Sequence, residues 1–269
     1  MPHAREPATD QASDQSTDQT SDQTTGQTND QKAPLTRGLY TARLARSPAD
    51  LAASLALRQA CFRGGQDSTL TDADAHDPAC QHMLITQGQG GLVASFRVQL
   101  LPDAGSLPRS YAAQFYDLAP LTSLAGPMLE LGRFCVAEGQ TDPDILRLAW
   151  ASLTRMVDAS HATLLFGCTS FAGADPARHA AAFGHLARHH LGPQSLRPGK
   201  RAAHSTDLLP SPMTAPAVLP PLLKTYLAMG GWVSDHAVLD HDLDTAHVFT
   251  ALQIAAIPAA RARALRALV

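Results

Sequence analysis

Aromatic residues make up only 5% of this 269-residue chain, so its core must be filled by aliphatic and alanine packing. There are four cysteines, Cys61, Cys80, Cys135 and Cys168, and no two of them form a C-x-x-C pair. That excludes a redox dithiol motif, and the chain is expected to work in a reducing, cytoplasmic compartment without a disulfide framework. No apolar run approaches the roughly 18 residues that a membrane-spanning helix needs. No apolar segment follows the first methionine, so a secretory leader is not expected. The phosphate-cradling G-x-x-x-x-G-K-[ST], a G-x-G-x-x-G after a strand and the nucleophile elbow G-x-S-x-G are all missing. Nucleotide-driven and serine-hydrolase chemistry therefore recede.

Apolar residues reach 45%, enough for one large core. The net charge of -3 sits in the N-terminal segment. Residues 1–32 carry Arg5 and Lys32 against Glu6, Asp10, Asp14, Asp18, Asp22 and Asp30, which leaves the rest near +1. A near-neutral body excludes bulk nucleic-acid binding. Residues 10–31 repeat an Asp-Gln tetrad filled with Ser and Thr and hold nothing apolar to offset chain entropy. We expect a disordered tail over 1–34 and a folded domain over 35–269.

The patterning of that domain alternates strand and helix. Gly38–Ala45 reads as a strand. Ser47-Pro48-Ala49-Asp50 opens a helix to Phe62, with Leu51, Leu55, Arg58 and Phe62 near one stripe. Residues 82–86 and 91–100 read as paired strands, Tyr111–Leu118 as a helix, and Met128–Val136 as a strand. Asp142-Pro143 starts another helix, Thr163–Ser170 is a strand, and Asp175–His190 is a helix. Residues 191–218 read as irregular. They are followed by a helix over Pro220–Met229, a last strand over Val248–Ile254 and a short basic helix from Pro258. The fold class expected is α/β in the α+β sense, a mixed and mostly antiparallel sheet flanked by helices.

The residues that could carry chemistry are charges in apolar surroundings. Met128–Val136 (MLELGRFCV) holds Glu130 and Arg133, and a buried charge costs several kcal/mol unless paired or used. Period two places Leu129, Leu131, Arg133 and Cys135 on one face and Met128, Glu130, Gly132 and Phe134 on the other. A regular strand cannot aim both charges at one spot. A bulge near Gly132 could, by re-aiming the next side chain. The pair fits an acid/base and anion site, and it fits an ion pair at a strand end equally well. Arg97 is a second charge in an apolar strand, and Arg58 a third on the buried stripe of the first helix. Asp72, Asp74 and Asp77 share one loop (TDADAHD), open to a cation, a substrate amine or plain solvent. The apolar flanks of Cys168 raise a thiol pKa and favour a structural role.

Taken in order, Arg58…Phe62, Asp72-x-Asp74-x-x-Asp77, Phe96-Arg97-x-x-Leu100-Leu101-Pro102 and Glu130-x-x-Arg133-Phe134 resemble the acyl-homoserine-lactone synthases and their relatives. Leu165–Phe171 and the blocks from Pro220 through Thr245 bring the chain closer to the ornithine N-acyltransferases that start ornithine-lipid synthesis. The resemblance covers residues 38–260, with a C-terminal extension from about 220. It implies a GNAT-like N-acyltransferase fold and transfer of a 3-hydroxyacyl chain from acyl carrier protein to the α-amine of L-ornithine. It implies no bound cofactor, because the donor arrives on the phosphopantetheine of the carrier protein. It also implies Glu130 and Arg133 as catalytic residues and Arg58, Asp74, Asp77, Arg97, Cys168 and Ser170 as substrate-binding residues. His76 stands where an aromatic residue is expected. The alternatives are a lactone synthase using S-adenosylmethionine and a non-catalytic protein that binds a carrier protein or lipid. The basic C-terminal end (Arg261, Arg263, Arg266) reads first as a plain solvated helix and second as a peripheral contact with the inner membrane or an acidic carrier protein.

Overall fold

Ser47 caps the first long helix as its position before Pro48 predicts: its hydroxyl accepts the Asp50 N–H at 3.1 Å. The computed structural model describes residues 33–64, 71–210 and 217–267. The repetitive N-terminal segment lies outside them. Contacts divide the chain after Ala33 and gather the rest into one unit.

The helices are α1 (Pro48–Arg63), α2 (Pro143–Ser160), α3 (Ala180–His189), α4 (Pro221–Ala228) and α5 (Ala259–Arg266). The strands are β1 (Leu35–Arg37), β2 (Tyr40–Leu44), β3 (Gln81–Gln87), β4 (Leu92–Leu101), β5 (Tyr116–Asp117), β6 (Met128–Val136), β7 (Leu164–Ala172), β8 (Gly199–Lys200), β9 (Ser205–Asp207), β10 (Trp232–Asp240) and β11 (Thr245–Gln253). The main sheet runs β1-β2-β3-β4-β6-β7-β11-β10-β9, and β5 pairs with β8 apart from it. Every neighbour in the main sheet is antiparallel except β6 and β7.

That parallel pair is short. It runs from Met128 opposite Leu164 to Leu131 opposite Gly167, and beyond that point the strands are no longer paired. Gly167 makes the close approach possible, because a Cβ there would lie 2.1 Å from the Leu131 carbonyl oxygen. The α2 face of the sheet buries Ile85, Phe96, Leu129, Leu131 and Leu165 against Ile145, Leu148 and Leu153. The opposite face buries Leu101, Met128, Phe166 and Phe249 beneath the segment holding Leu107, Tyr116 and Leu121. Helix α1 packs on β4 and β6.

Several sequence expectations need correction. The stripe of α1 is polar, since Ser54 and Arg58 are its buried residues. Tyr111–Leu118 is not a helix but a 3₁₀ turn over Ala112–Gln114 followed by β5, and its apolar side chains are consumed by the sheet below. Helix α3 starts later than Asp175, behind a 3₁₀ turn over Pro176–His179. Residues 191–218 contain β8 and β9. Strand β10 has no clean alternation, because two extra residues bulge between Val233 and Ala237 and hide it in the sequence. Among the described residues no helix is long and apolar enough to cross a membrane.

Candidate active site at the bulge of β6

The register of β4 against β6 locates the bulge. Ser95 faces Cys135 and Arg97 faces Gly132, so two steps on β4 match three on β6. Arg133 is the extra residue, held at φ +51, a conformation uncommon for a residue with a side chain. The parity of the strand changes there. Phe134 stacks on Phe96 on the α2 face, ring centroids 5.9 Å apart, while Arg133 turns toward the face of Glu130 and Arg97. This is the re-aiming that a regular strand could not supply.

The arginines and aspartates meet there in one buried network. Arg58 binds Asp72 through Nε at 2.8 Å and Asp77 through Nη1 at 2.6 Å. Arg97 grips Asp74 with both Nη atoms, at 2.6 and 2.8 Å, and reaches Asp77 at 2.6 Å. Arg133 donates to Asp72 at 3.0 Å, to Asp74 at 3.3 Å and to the Tyr111 hydroxyl at 3.1 Å. The three guanidinium charges and the three carboxylate charges cancel, which makes their burial tolerable. Burial would raise the Asp77 carboxyl, but hydrogen bonds from Arg58, the Asp74 N–H and Arg97 outweigh it and hold the group at about 2. Asp74 is lowered in the same way, with Arg97 overruling burial. The acidic loop is therefore not a plain solvated loop: each of its three aspartates is tied to arginine, and only Asp74 keeps appreciable exposure.

Glu130 lies beside this network and is differently placed. Its carboxylate accepts the backbone N–H of Tyr111 and that of Ala112, each at 2.7 Å. Burial pushes it up to about 7, the two N–H donors pulling less strongly the other way. A carboxyl near neutrality in a dry site is suited to general base work.

Tyr111 is the participant that sequence reasoning passes over. The Tyr111 ring lies under Arg133 (4.9 Å) and Arg97 (5.6 Å), and it meets His76 edge-on at 5.6 Å. His76 thus does the work of the expected aromatic. The fit of His76 in the loop was the only available signal for Tyr111. Asp72, read in the sequence as part of the acidic loop, is the most buried of the three aspartates.

Of the eight residues singled out in the sequence, Arg58, Asp74, Asp77, Arg97 and Arg133 share the network, and Glu130 joins it through Tyr111. Cys168 and Ser170 stand on β7 beyond its last pairing with β6. Cys168 is half-buried, and burial raises its thiol well above the usual range. Ser170 is exposed and borders a cavity of about 470 Å³ whose other walls include Phe171, Arg178, His179 and Leu219.

A central parallel pair that parts just before a bulge, with a buried carboxyl at the parting, defines a GNAT-type acyltransferase. The model of the Acetyltransferase (GNAT) domain matches residues 57–151, a span that contains Arg58, the acidic loop, Glu130 and Arg133. The L-ornithine N(alpha)-acyltransferase of Rhodobacter capsulatus is 33% identical over 80% of this chain and 89% of its own length. Its namesake from Brucella abortus is 30% identical over 81% of this chain and 85% of its own. The chain belongs to the L-ornithine N(alpha)-acyltransferase family. Among solved structures, FeeM, an N-acyl amino acid synthase from uncultured soil microbes, aligns with a TM-score of 0.46 at 11% identity, covering 83% of this chain and 93% of its own.

Proposed function

We propose that this protein transfers a 3-hydroxyacyl chain from acyl carrier protein to the α-amine of L-ornithine, giving lyso-ornithine lipid. The observation that carries the acceptor is the named activity of relatives matched over about 80% of the chain. The buried Glu130 supports amine acylation, since ornithine enters as an ammonium and must lose a proton before it attacks. Each Glu130 oxygen accepts one N–H and keeps a second lone pair for that proton, directly or through a water. The amine nitrogen bonds to the thioester carbonyl carbon and the oxygen becomes an oxyanion beside the backbone N–H groups of the bulge. Collapse breaks the C–S bond: the first proton passes from Glu130 to solvent, the nitrogen gives its second proton to the departing thiolate, and the amide and the phosphopantetheine thiol are released.

Exposure ranks the network for substrate contact. The Asp74 side chain is 23% exposed, against 1% for Asp72 and 7% for Asp77. Asp74 is the carboxylate left to meet a substrate ammonium. Arg133, at 11%, is more open than Arg97 at 3% and Arg58 at 1%, and is the guanidinium left for the substrate carboxylate. Arg58, Arg97 and Asp77 serve to hold both in place. After β6 the chain enters α2 through Ala137–Asp142, which lacks a glycine-rich pyrophosphate loop and so suits a donor with one phosphate.

The test is incubation of the purified protein with 3-hydroxyacyl carrier protein and L-ornithine, followed by mass spectrometry. N-acylornithine is the expected product. A homoserine lactone formed from S-adenosylmethionine, or no acylated amine at all, would overturn the proposal.

A further inference from the structure

Three consecutive residues fasten the last turn of α1, two of them to the far half of β6 and the third to the acidic loop. Cys61 Sγ donates to the Val136 carbonyl at 3.4 Å, the Phe62 ring lies 5.9 Å from the Arg133 guanidinium, and Arg63 Nε comes within 3.6 Å of Asp72. The stripe Ser54, Arg58, Cys61 follows helical spacing and faces the sheet. Ser54 is hydrogen-bonded to Ser95 at 2.6 Å, and Ser95 is the cross-strand partner of Cys135. Cys135 shares the sheet face that α1 covers, and it directly precedes Val136, whose carbonyl takes the Cys61 thiol. Cys61 is exposed, and Cys135 is only 5% exposed.

We infer that Cys61 and Cys135 form an oxidant-responsive thiol pair that closes to a disulfide between α1 and β6 and thereby disturbs the bulge site. The environment separates the roles. Cys61 stands open at the end of α1 while Cys135 is covered, and the neighbouring thiol lowers Cys61 while it and burial raise Cys135. Cys61 is thus the accessible nucleophile and Cys135 the resolving thiol. With a hydroperoxide as oxidant, the Cys61 thiolate attacks one peroxide oxygen. The O–O bond breaks, hydroxide leaves, and Cys61 becomes a sulfenic acid. The Cys135 sulfur then attacks the Cys61 sulfur, expelling the oxygen as water and forming the S–S bond. Two thiols and one peroxide give one disulfide and two waters. The link requires sulfurs about 2.05 Å apart, closer than two unlinked thiols. The end of α1 and the half of β6 beyond its pairing with β7 must therefore draw together, and Phe62 and Arg63 move with it against Arg133 and Asp72.

The experiment treats the purified full chain with hydrogen peroxide, blocks remaining thiols and maps peptides without reduction. A Cys61–Cys135 linked peptide is expected, lost on reduction and absent from Cys61→Ser. Acyl transfer by the oxidised wild type should fall severalfold and return with dithiothreitol, while Cys61→Ser keeps its rate through the treatment. Absence of the linked peptide, or linkage of either residue to Cys80 or Cys168, would overturn the pairing. A linked protein with an unchanged rate would overturn the coupling to the site. The peptide map does not depend on the substrate, so its failure is separate from failure of the proposed function.

Discussion

Glu130 and Arg133, three residues apart in β6, converge on Tyr111 from opposite ends: the Glu130 carboxylate takes its backbone N–H at 2.7 Å and Arg133 its hydroxyl at 3.1 Å. The bulge makes this possible, and the residue so gripped spaces the proposed base from the proposed anion site. Tyr111→Phe removes only the hydroxyl contact and leaves the N–H to Glu130. It is expected to lower stability by about 1 kcal/mol, the usual net value of one hydrogen bond, as read by urea unfolding. Tyr111→Ala, which also strips the ring from beneath Arg133 and Arg97, should cost more. Equal stability of the two variants would remove the ring from this account.

Glu130→Gln tests the base. The amide keeps a carbonyl oxygen for one of the two N–H donors and loses the ability to take a proton. The turnover rate should drop by about 10²- to 10⁴-fold, the range for loss of a general base. In the wild type, kcat/KM should rise with pH through an apparent pKa of about 7, the value to which burial lifts this carboxyl. That limb should vanish in the variant. A profile unchanged in shape would assign the limb to another group.

Arg58 is 1% exposed and serves Asp72 and Asp77 together. Arg58→Met matches its bulk but leaves two buried carboxylates short of a partner. Breaking a buried pair from one side costs roughly 3–5 kcal/mol, so thermal unfolding should shift steeply downward. Because Asp72 and Asp77 order the loop that carries Asp74, the KM for ornithine should rise more than kcat falls. A small stability loss would show that water or neighbouring groups already compensate these carboxylates.

The charged strand was legible because apolar neighbours make Glu130 and Arg133 conspicuous, and Gly132 marked where a bulge could turn one of them. Ser47-Pro48 and Asp142-Pro143 announced their helices through local capping chemistry, which needs no tertiary partner. Tyr111 was invisible because Glu130 holds it by a backbone N–H, which every residue but proline carries. Its segment looked helical, yet only one 3₁₀ turn forms before the chain pairs as β5 and packs Tyr116 and Leu118 on the sheet. Strand β10 was hidden because Ser234 replaces a ladder partner, its hydroxyl accepting the Phe249 N–H at 3.1 Å, so polar residues interrupt the alternation. The pairing of the arginines was illegible for a simpler reason: Asp72 lies 61 positions from Arg133 in sequence.

Two buried groups give stability opposite pH dependences. Burial lowers His247 from 6.5 to about 4, so between these values the unfolded chain binds the proton and the folded chain does not. Stability from this residue is lost as pH falls through that window, by about 3 kcal/mol. Burial raises Glu130 from 4.5 to about 7, so between these values the folded chain holds the proton. Stability from Glu130 is lost as pH rises through its window, by about 3 kcal/mol. The two nearly cancel between pH 4.5 and 6.5. Relative to the wild type, Glu130→Gln should lose more stability on acidification through this range and His247→Phe less. The measurement is urea unfolding of the three proteins across this range, and parallel pH curves would refute it.

The parting of β6 and β7 depends on how closely they meet just before it. Leu131 and Gly167 are the last paired residues, and a Cβ at 167 would lie 2.1 Å from the Leu131 carbonyl oxygen. That oxygen belongs to a central strand and cannot swing aside as a side chain would. Gly167→Ala must push β7 away and lose the last pairing, so the cleft opens one residue early and the bulge loses its support. Overpacking of this kind costs about 1–3 kcal/mol, more where backbone must move. Gly132→Ala is the control, because its Cβ would meet nothing nearer than Arg97 Nε at 3.5 Å, an ordinary contact. We expect Gly167→Ala to lose both melting temperature and turnover, and Gly132→Ala to keep its fold. If the alanine at 167 were tolerated as well as the one at 132, close approach of the parallel pair could not be what sets the position of the cleft.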